Sequence, residues 1–259
     1  MFITEKIKPV LETSESSLVL KQAVSDREIE AAMKLRFEVF NLEFNEGLQS
    51  SYRTGLDEDE YDSYCDHIIV MDTAKDKVVG TYRLLPGSRA ENGTGYYSEN
   101  EFEMSSFKKL PGNKLELGRA CVHRDYRGFS ILNLMWAGIG RYIEINGVNF
   151  LFGCGSLHTI NPNIVSNVYS YFKSNYLAEE KYRVYPIKKI PGFDPESGYD
   201  RSIISRHLPP LILSYLKIGA RIAGEPALDE QFGVSDFLII LDREKIIDRY
   251  KKHYLSGAL

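Results

Sequence analysis

The feature that most constrains the fold is a strand, a loop, a helix and a second strand in immediate succession between residues 114 and 153. Lys114–Val122 is rich in β-forming residues, and the apolar segment from Phe129 to Asn146 has the length of a helix that Gly147 should end. Val148–Gly153 then has the composition of another strand. Strands that alternate with helices in this way predict a mixed α/β sheet with helices packed on it.

The rest of the chain follows the same alternation. The tetrapeptide Ser25-Asp26-Arg27-Glu28 is a capping box, which predicts a helix from there to about Phe40. His67–Asp72 and Lys77–Leu85 are short β-rich runs joined by a polar turn, and they predict an antiparallel hairpin. No repeat or low-complexity tract interrupts the pattern, so we predict a single domain over residues 17–255.

Composition excludes several classes of protein. The 259 residues include 32 lysine and arginine against 36 aspartate and glutamate, a net charge of −4 that disfavours nucleic acid as the main partner. The three cysteines are far apart and the five histidines lack metal-ligand spacing, so we expect neither a bound metal nor a disulfide framework. No apolar run reaches the roughly 20 residues of a spanning helix and no leader is evident, which predicts a cytoplasmic protein.

Two arginines occur where the pattern predicts apolar faces. Arg36 falls within the apolar face of the first predicted helix, and Arg83 shares a strand face with Val79 and Leu85. Such an arginine either packs its stem and exposes its head, or meets a carboxylate in a partly buried site. Both alternatives are open for Arg36.

The densest acidic run of the chain lies at Asp57–Asp62, with Asp66 shortly after it. Side chains of like charge repel one another unless solvent or cations relieve them. The run is therefore either a solvated loop or a site that holds a cationic amine or pairs with arginine. Arg36 and Arg83 are the candidate partners.

Glu116 and Arg119 lie three residues apart in a predicted strand and would point to opposite faces if that strand were regular. A β-bulge at Gly118 would bring them to one side and leave backbone N–H groups free for a ligand carbonyl. Glu116 is then either part of an ion pair with Arg119 or a catalytic carboxylate. The loop that follows, His123–Ser130, places arginines just before a helix N-terminus, which suits a phosphate but also occurs in solvated loops.

Taken together, these motifs resemble a known enzyme superfamily. The strand, Arg-Gly loop, helix and strand are similar to the acyl-CoA-binding core of the GNAT superfamily, which implies a mostly antiparallel central sheet flanked by helices. A narrower resemblance is to the branch that contains acyl-homoserine lactone synthases and long-chain N-acyl amino acid synthases. Four successive motifs carry it: Leu35–Phe40, Asp59–Asp62, Arg83–Pro86 and Glu116–Arg119.

Within that branch the C-terminal block, residues 201–255, resembles the ornithine–acyl carrier protein N-acyltransferases. The similar motifs in this block are Leu208–Leu211, Tyr215–Ala220 and Phe232–Phe237, and acyl-homoserine lactone synthases lack it. Asp66-His67 and Glu116–Arg119 carry the same resemblance. The resemblance implies transfer of a long, 3-hydroxylated acyl chain from acyl carrier protein to the α-amine of ornithine or glycine, in lyso-aminolipid biosynthesis. One alternative is an N-acyl signal synthase with another acceptor. A second is a non-catalytic membrane-binding protein, because related sequences carry a hemolysin label.

The resemblance also implies roles for individual residues. Glu116 is the first choice as proton acceptor and Asp62 the second, with Arg119 beside them. Substrate binding falls to Arg36, Asp59 and Arg83, in one polar cluster with the catalytic residues. The acyl donor would lie along Ala120, Cys121, Val122, Arg124, Arg127, Gly128 and Ser130.

The donor is expected to be a co-substrate rather than a bound cofactor. Ser130 and Leu132 stand where the common GNAT loop has small residues, which favours acyl carrier protein over coenzyme A. Cys121 is expected to pack rather than to act as a nucleophile. The expected partners are acyl carrier protein, a small amino acid and, peripherally, the inner face of the membrane.

Overall fold

The computed structural model describes residues 10–12 and 17–250. The predicted end of the domain, residues 251–255, lies outside the described residues, as do residues 13–16. The strands are β1 (Val10–Glu12), β2 (Leu18–Gln22), β3 (Asp66–Asp72), β4 (Lys77–Pro86), β5 (Phe102–Glu103), β6 (Asn113–Val122), β7 (Val148–Leu157), β8 (Tyr185–Pro186), β9 (Arg221–Ile222), β10 (Ala227–Asp229) and β11 (Val234–Asp242). The longer α-helices are α1 (Asp26–Arg36), α2 (Phe129–Asn146), α3 (Pro162–Asn175), α4 (Arg201–His207) and α5 (Pro210–Ile218).

Several single turns of helix connect these elements. The α-helical turns are Ser51–Thr54, Gly87–Ala90, Ser105–Lys108 and Asp248–Tyr250. The 3₁₀ turns are Asp62–Tyr64, Tyr97–Asn100, Arg124–Tyr126, Glu180–Tyr182 and Arg243–Lys245. The mixed α/β architecture is the predicted one.

The described chain forms two compact units. The first contains residues 10–12, 17–94, 117–148 and 248–250, and the second contains residues 95–116 and 149–247. The single domain over residues 17–255 stays a prediction.

The first unit is built on the antiparallel strands β1, β2, β3 and β4, with the second half of β6 beside β4. Helix α1 begins with the predicted capping box. The Ser25 side chain accepts from the backbone N–H of Glu28, and the Glu28 side chain accepts from the backbone N–H of Ser25. Buried residues of α1 and of the next turn pack on β3 and β4. One buried cluster joins Ala32, Leu35 and Val39 to Ile69 of β3 and Val78 of β4.

The helix predicted to end near Phe40 runs further in a different form. Residues Phe37–Glu43 make a π-helix, in which the Phe44 N–H bonds to the Val39 carbonyl 3.0 Å away. We call Phe37–Glu43 the π-segment. A π-helix bulges relative to an α-helix and is often found at functional sites.

The second unit has its own sheet and aromatic core. Strands β7, β11 and β10 are neighbours, with β9 also paired to β11, and the β7–β11, β10–β11 and β9–β11 pairs are antiparallel. Phe152 of β7 makes edge contacts with Tyr96 and Phe107, at ring-centroid distances of 4.9 and 5.1 Å. Phe237 of β11 meets Phe172 of α3 in the same way, at 5.0 Å.

Strand β6 contributes residues to both units. Residues 113–116 belong to the second unit and residues 117–122 to the first. Arg119 has a φ of 49°, in the left-handed region that a non-glycine residue reaches at a cost of about 1–2 kcal/mol. The bulge was predicted at Gly118. The left-handed backbone conformation occurs one residue later, at Arg119.

Candidate active site

Arg36 is the centre of a buried ion-pair network in the first unit. It is fully buried, and its Nε donates to Asp57 Oδ1 over 2.7 Å. Its two terminal nitrogens bind both oxygens of Asp62, at 2.7 and 3.0 Å. Of the two alternatives for Arg36, the structure shows the second: the guanidinium meets carboxylates of the acidic run.

Two further arginines close the network. Arg83 Nη1 lies 2.6 Å from Asp59 Oδ1 and 3.2 Å from Asp62 Oδ1. Arg119 contacts Asp57 Oδ1 at 3.3 Å and Asp59 Oδ2 at 3.5 Å. Three guanidinium groups thus face three carboxylates, and the charges of this Arg–Asp network, Arg36, Asp57, Asp59, Asp62, Arg83 and Arg119, balance one another.

The electrostatics make Asp62 a weak base. Burial alone would raise the pKa of Asp62, but the hydrogen bond from Arg36 and the charges of Arg36 and Arg83 outweigh it and hold that pKa well below its usual range. A carboxylate in this state accepts a proton poorly at neutral pH.

His67 lies next to this network, and in the sequence it stood out only as part of the Asp66-His67 motif, with no role assigned. Its side chain is 1% exposed, and its Nε2 is 3.9 Å from Asp62 Oδ1. Neither ring nitrogen has a hydrogen-bond partner among the residues that the structure describes. Burial lowers the pKa of His67 and the charge of Asp62 only partly offsets this, so the ring is neutral beside the network.

Glu116, which the sequence also assigns to this cluster, lies in the second unit. Its carboxylate accepts from the backbone N–H groups of Tyr97 and Ser98, at 2.9 and 2.8 Å, and from Ser98 Oγ at 2.6 Å. Tyr97 and Ser98 are the first two residues of the 3₁₀ turn Tyr97–Asn100. The other five predicted members of the cluster come together in the first unit.

A group of acidic side chains in the second unit was missed by the sequence analysis. Asp229 and Asp236 are both 2% exposed, and Tyr97 donates its hydroxyl to Asp229 Oδ2 over 3.2 Å. Burial and the negative charges of Asp229 and Asp236 raise the pKa of Glu101 to about 7. Asp236 lies within the motif Phe232–Phe237, which is the one signal in the sequence that pointed to this group.

The predicted donor residues lie along the end of β6 and the loop to α2. Ala120 and Val122 are half-buried, and burial raises the pKa of the Cys121 thiol, as fits the predicted packing role. Arg124 is exposed, and Arg127 Nε donates to the Val122 carbonyl over 3.2 Å. Gly128 is the N-cap of α2, and Ser130 is the second residue of that helix.

The described part of the chain contains neither a metal site nor a membrane-spanning helix. Over residues 10–12 and 17–250, no group of His, Cys, Asp and Glu side chains is arranged to hold a metal ion. Among the helices of these same residues, none combines the length and apolar character needed to cross a membrane.

Comparison with known proteins decides the family. Residues 35–137 match the acetyltransferase (GNAT) domain family. The L-ornithine Nα-acyltransferase of Brucella abortus (strain 2308) is 34% identical over 253 residues, covering 93% of this chain and 90% of that protein. The chain belongs to the L-ornithine Nα-acyltransferase family. The protein of the same name from Rhizobium meliloti (strain 1021) is 32% identical, covering 94% of this chain and 86% of that protein.

Solved structures agree with the fold of this family member. The AHL synthase LasI has a TM-score of 0.53 at 13% identity, covering 94% of this chain and 98% of that one. FeeM, an N-acyl amino acid synthase from uncultured soil microbes, has a TM-score of 0.51 at 11% identity, covering 96% and 98%. Membership in the L-ornithine Nα-acyltransferase family confirms the predicted GNAT fold and the predicted activity, amino acid N-acyltransfer. An acyl donor is therefore a co-substrate.

Proposed function

We propose that this chain transfers a long acyl group from acyl carrier protein to the α-amine of ornithine. The observation that carries the proposal is the 34% identity to a protein named L-ornithine Nα-acyltransferase, over nine-tenths of its length. The sequence resemblance supports the carrier protein as donor, because Ser130 and Leu132 replace the small residues of the common GNAT loop. We also propose peripheral contact with the inner face of the membrane, where an amphiphilic product would leave.

The acidic group Glu101, Asp229 and Asp236 supports ornithine as the acceptor. Ornithine carries a side-chain ammonium that glycine lacks. Burial and, after it, the negative charges of Asp229 and Asp236 raise the pKa of Glu101 to about 7, and an ammonium placed among these carboxylates would offset their repulsion. By contrast, the charges of the Arg–Asp network already balance. We assign the ornithine side chain to the acidic group.

Amide formation requires that the α-amine lose its proton. The amine nitrogen forms a bond to the thioester carbonyl carbon, the carbon–sulfur bond breaks, and the thiol of the carrier arm leaves with a proton. Glu116 is our proposed acceptor of the amine proton, directly or through water. Glu101 is the second candidate, since a carboxylate with a pKa near 7 is matched to base catalysis at neutral pH.

The roles predicted for the first unit are carried forward in the proposal. Backbone N–H groups near Ala120–Val122 would stabilise the oxyanion of the tetrahedral intermediate. Arg36, fixed by Asp57 and Asp62, would hold the network rigid, so that Asp59, Arg83 and Arg119 keep one orientation toward the substrates. No covalent acyl-enzyme is required.

The proposal is tested by mass spectrometry of the products. The purified protein is incubated with 3-hydroxyacyl carrier protein and an equimolar mixture of ornithine, glycine, lysine and serine. We expect Nα-acylornithine as the main product, a large loss of rate in Glu116→Gln, and little change in Glu103→Gln, whose carboxylate is exposed and bonds to Ser105. If product forms with acyl coenzyme A but not with acyl carrier protein, the donor assignment is wrong. If the main product carries an amino acid other than ornithine, the acceptor assignment is wrong.

The identity of the base is tested by the pH dependence of the rate. If Glu101 takes the proton, kcat/KM, which reports the free enzyme, falls below about pH 7 in the wild type and Glu101→Gln loses this limb. If Glu116 takes the proton, the limb persists in Glu101→Gln and the rate is lost in Glu116→Gln at every pH.

A further inference from the structure

Large apolar side chains are exposed at the end of the π-segment in the first unit. Leu42 is 60% exposed, Phe44 is 42% exposed, and Tyr52 nearby is 47% exposed. Tyr52 is tied to the π-segment because its hydroxyl donates to the Asn41 carbonyl over 3.0 Å and its ring meets Phe37 edge-on at 5.5 Å. Neighbouring exposed apolar side chains of this size are typical of interaction surfaces.

This apolar surface is joined to the predicted donor loop. Arg127 binds both carboxylate oxygens of Glu43, at 2.6 and 2.8 Å, and its guanidinium stacks 5.3 Å from the centre of the Phe44 ring. The hydrogen bond and the charge of Arg127, together with the charge of Arg124, lower the pKa of Glu43. The Arg127 guanidinium therefore lies against Phe44, and Arg124 is near enough for its charge to act on Glu43.

The backbone beneath the surface is fixed. The N–H groups of Phe44 and Glu46 bond to carbonyls of the π-segment, at 3.0 and 2.8 Å. Asn41 is buried and its Nδ2 donates to the Leu48 carbonyl over 2.8 Å. A surface held in this way needs little ordering on binding, so more of its contact energy becomes affinity.

We propose that Leu42, Phe44, Arg124 and Arg127 form the surface on which acyl carrier protein docks; this donor-side surface rests on the proposed function, which makes the carrier the donor. Carrier proteins are acidic, so their charge complements Arg124, while Arg127 keeps its ion pair with Glu43. Buried apolar contacts with Leu42 and Phe44 would supply most of the affinity. Coenzyme A has no protein body to cover these side chains. The surface lies next to the loop predicted to receive the thioester arm.

The experiment compares two donors for each variant. For the same acyl group on carrier protein and on coenzyme A, kcat/KM is measured in Leu42→Ser, Phe44→Ser and Arg124→Glu, and the ratio of the two values is taken. Partial misfolding cancels in this ratio, since both donors meet the same enzyme. We expect the ratio of carrier to coenzyme A to fall at least tenfold in each variant.

Two matched substitutions at the other end of α1 serve as controls. Val24→Ser removes an apolar side chain that is 54% exposed, and Arg27→Glu reverses a charge that is 84% exposed. Both should keep the wild-type ratio. Equal ratios in wild type, surface variants and controls would overturn the docking surface while leaving the carrier as donor. A wild type that uses coenzyme A at least as well as the carrier would instead overturn the donor assignment, and the surface with it.

Discussion

At the scale of single residues, the sequence indicated where buried charge occurs but not which groups share it. Arg36 and Arg83 stood out because each falls on an apolar face, and a charged group there needs a partner. The acidic run supplied three carboxylates as candidate partners. Their assignment to individual nitrogens depends on the loop after α1, which no local pattern specifies.

Arg36 carries the first prediction. Arg36→Met keeps the volume of the stem but leaves Asp57 and Asp62 buried opposite an uncharged side chain. Breaking a buried ion pair on one side costs about 3–5 kcal/mol, so we expect a loss of that size in the free energy of unfolding. The measurement is urea denaturation of the purified variant.

The matched control for Arg36 is Arg27→Met. Arg27 pairs with Asp76 at 2.8 Å, but both side chains are largely exposed, at 84% and 69%. Such a pair contributes about 0–1 kcal/mol. If the two substitutions cost the same, the Arg–Asp network does not stabilise the first unit.

Glu101 carries the second prediction, through pH. Its pKa is about 7 in the folded chain and 4.5 without these neighbours, so the folded state loses stability as the pH rises from about 4.5 to about 7. Glu101→Gln removes this loss. Because the side chain is only half-buried, we expect a gain of about 1 kcal/mol at pH 8 and none at pH 4.

The stability of Glu101→Gln is read from melting temperatures of both proteins across pH 4–8, without substrate. A variant that melts at the wild-type temperature at pH 8 would contradict the raised pKa of Glu101. The sequence could not predict the acidic group of Glu101, Asp229 and Asp236, because Glu101 lies more than a hundred residues from the two aspartates and only the folded chain brings the three together.

At the scale of elements, the start and stop signals in the sequence predicted the helix ends that local chemistry determines. Helix α2 spans Phe129–Asn146 as predicted, because Gly147 takes the left-handed conformation, with a φ of 57°. The π-segment could not be predicted, since its sequence is compatible with an α-helix and packing sets its wider turn. The left-handed Arg119 in β6 was also missed, because that conformation disfavours an arginine and only its surroundings can impose it.

The capping box of α1 carries a prediction at this scale. Ser25 accepts the backbone N–H of Glu28, so Ser25→Ala leaves that donor without its cap. We expect a loss of about 1 kcal/mol in the free energy of unfolding for Ser25→Ala and only a few tenths for Ser25→Gly. Thermal unfolding of the two variants checks the order, and equal losses would show that the hydroxyl does not cap the helix.

At the scale of the whole molecule, fold and acceptor are separate questions. The AHL synthase LasI shares the fold at 13% identity, so the fold by itself does not specify an amino acid. The sequence predicted the fold from the order of strands and helices, and the family from motifs along the chain. Acceptor choice depends on side chains that meet only in the folded chain.

The last prediction concerns that choice. Norvaline has the carbon chain of ornithine but lacks the terminal ammonium, so the wild type should prefer ornithine strongly in kcat/KM. Asp236→Asn keeps the shape of a buried side chain and removes one negative charge beside Glu101. We expect the preference for ornithine over norvaline to fall at least tenfold, because a hydrogen-bonded charge contributes about 1.5–3 kcal/mol.

The matched control is Asp242→Asn, which removes a carboxylate of the same strand β11 whose Oδ2 accepts from the Tyr182 hydroxyl over 2.8 Å. Its preference should stay at the wild-type value, since nothing ties Asp242 to the acidic group. Competition between the two amino acids in one reaction, read by mass spectrometry, gives the preference directly. If Asp236→Asn prefers ornithine over norvaline as strongly as the wild type does, the ornithine side chain binds elsewhere. Removing a charge that binds the ammonium must change the discrimination between these two substrates.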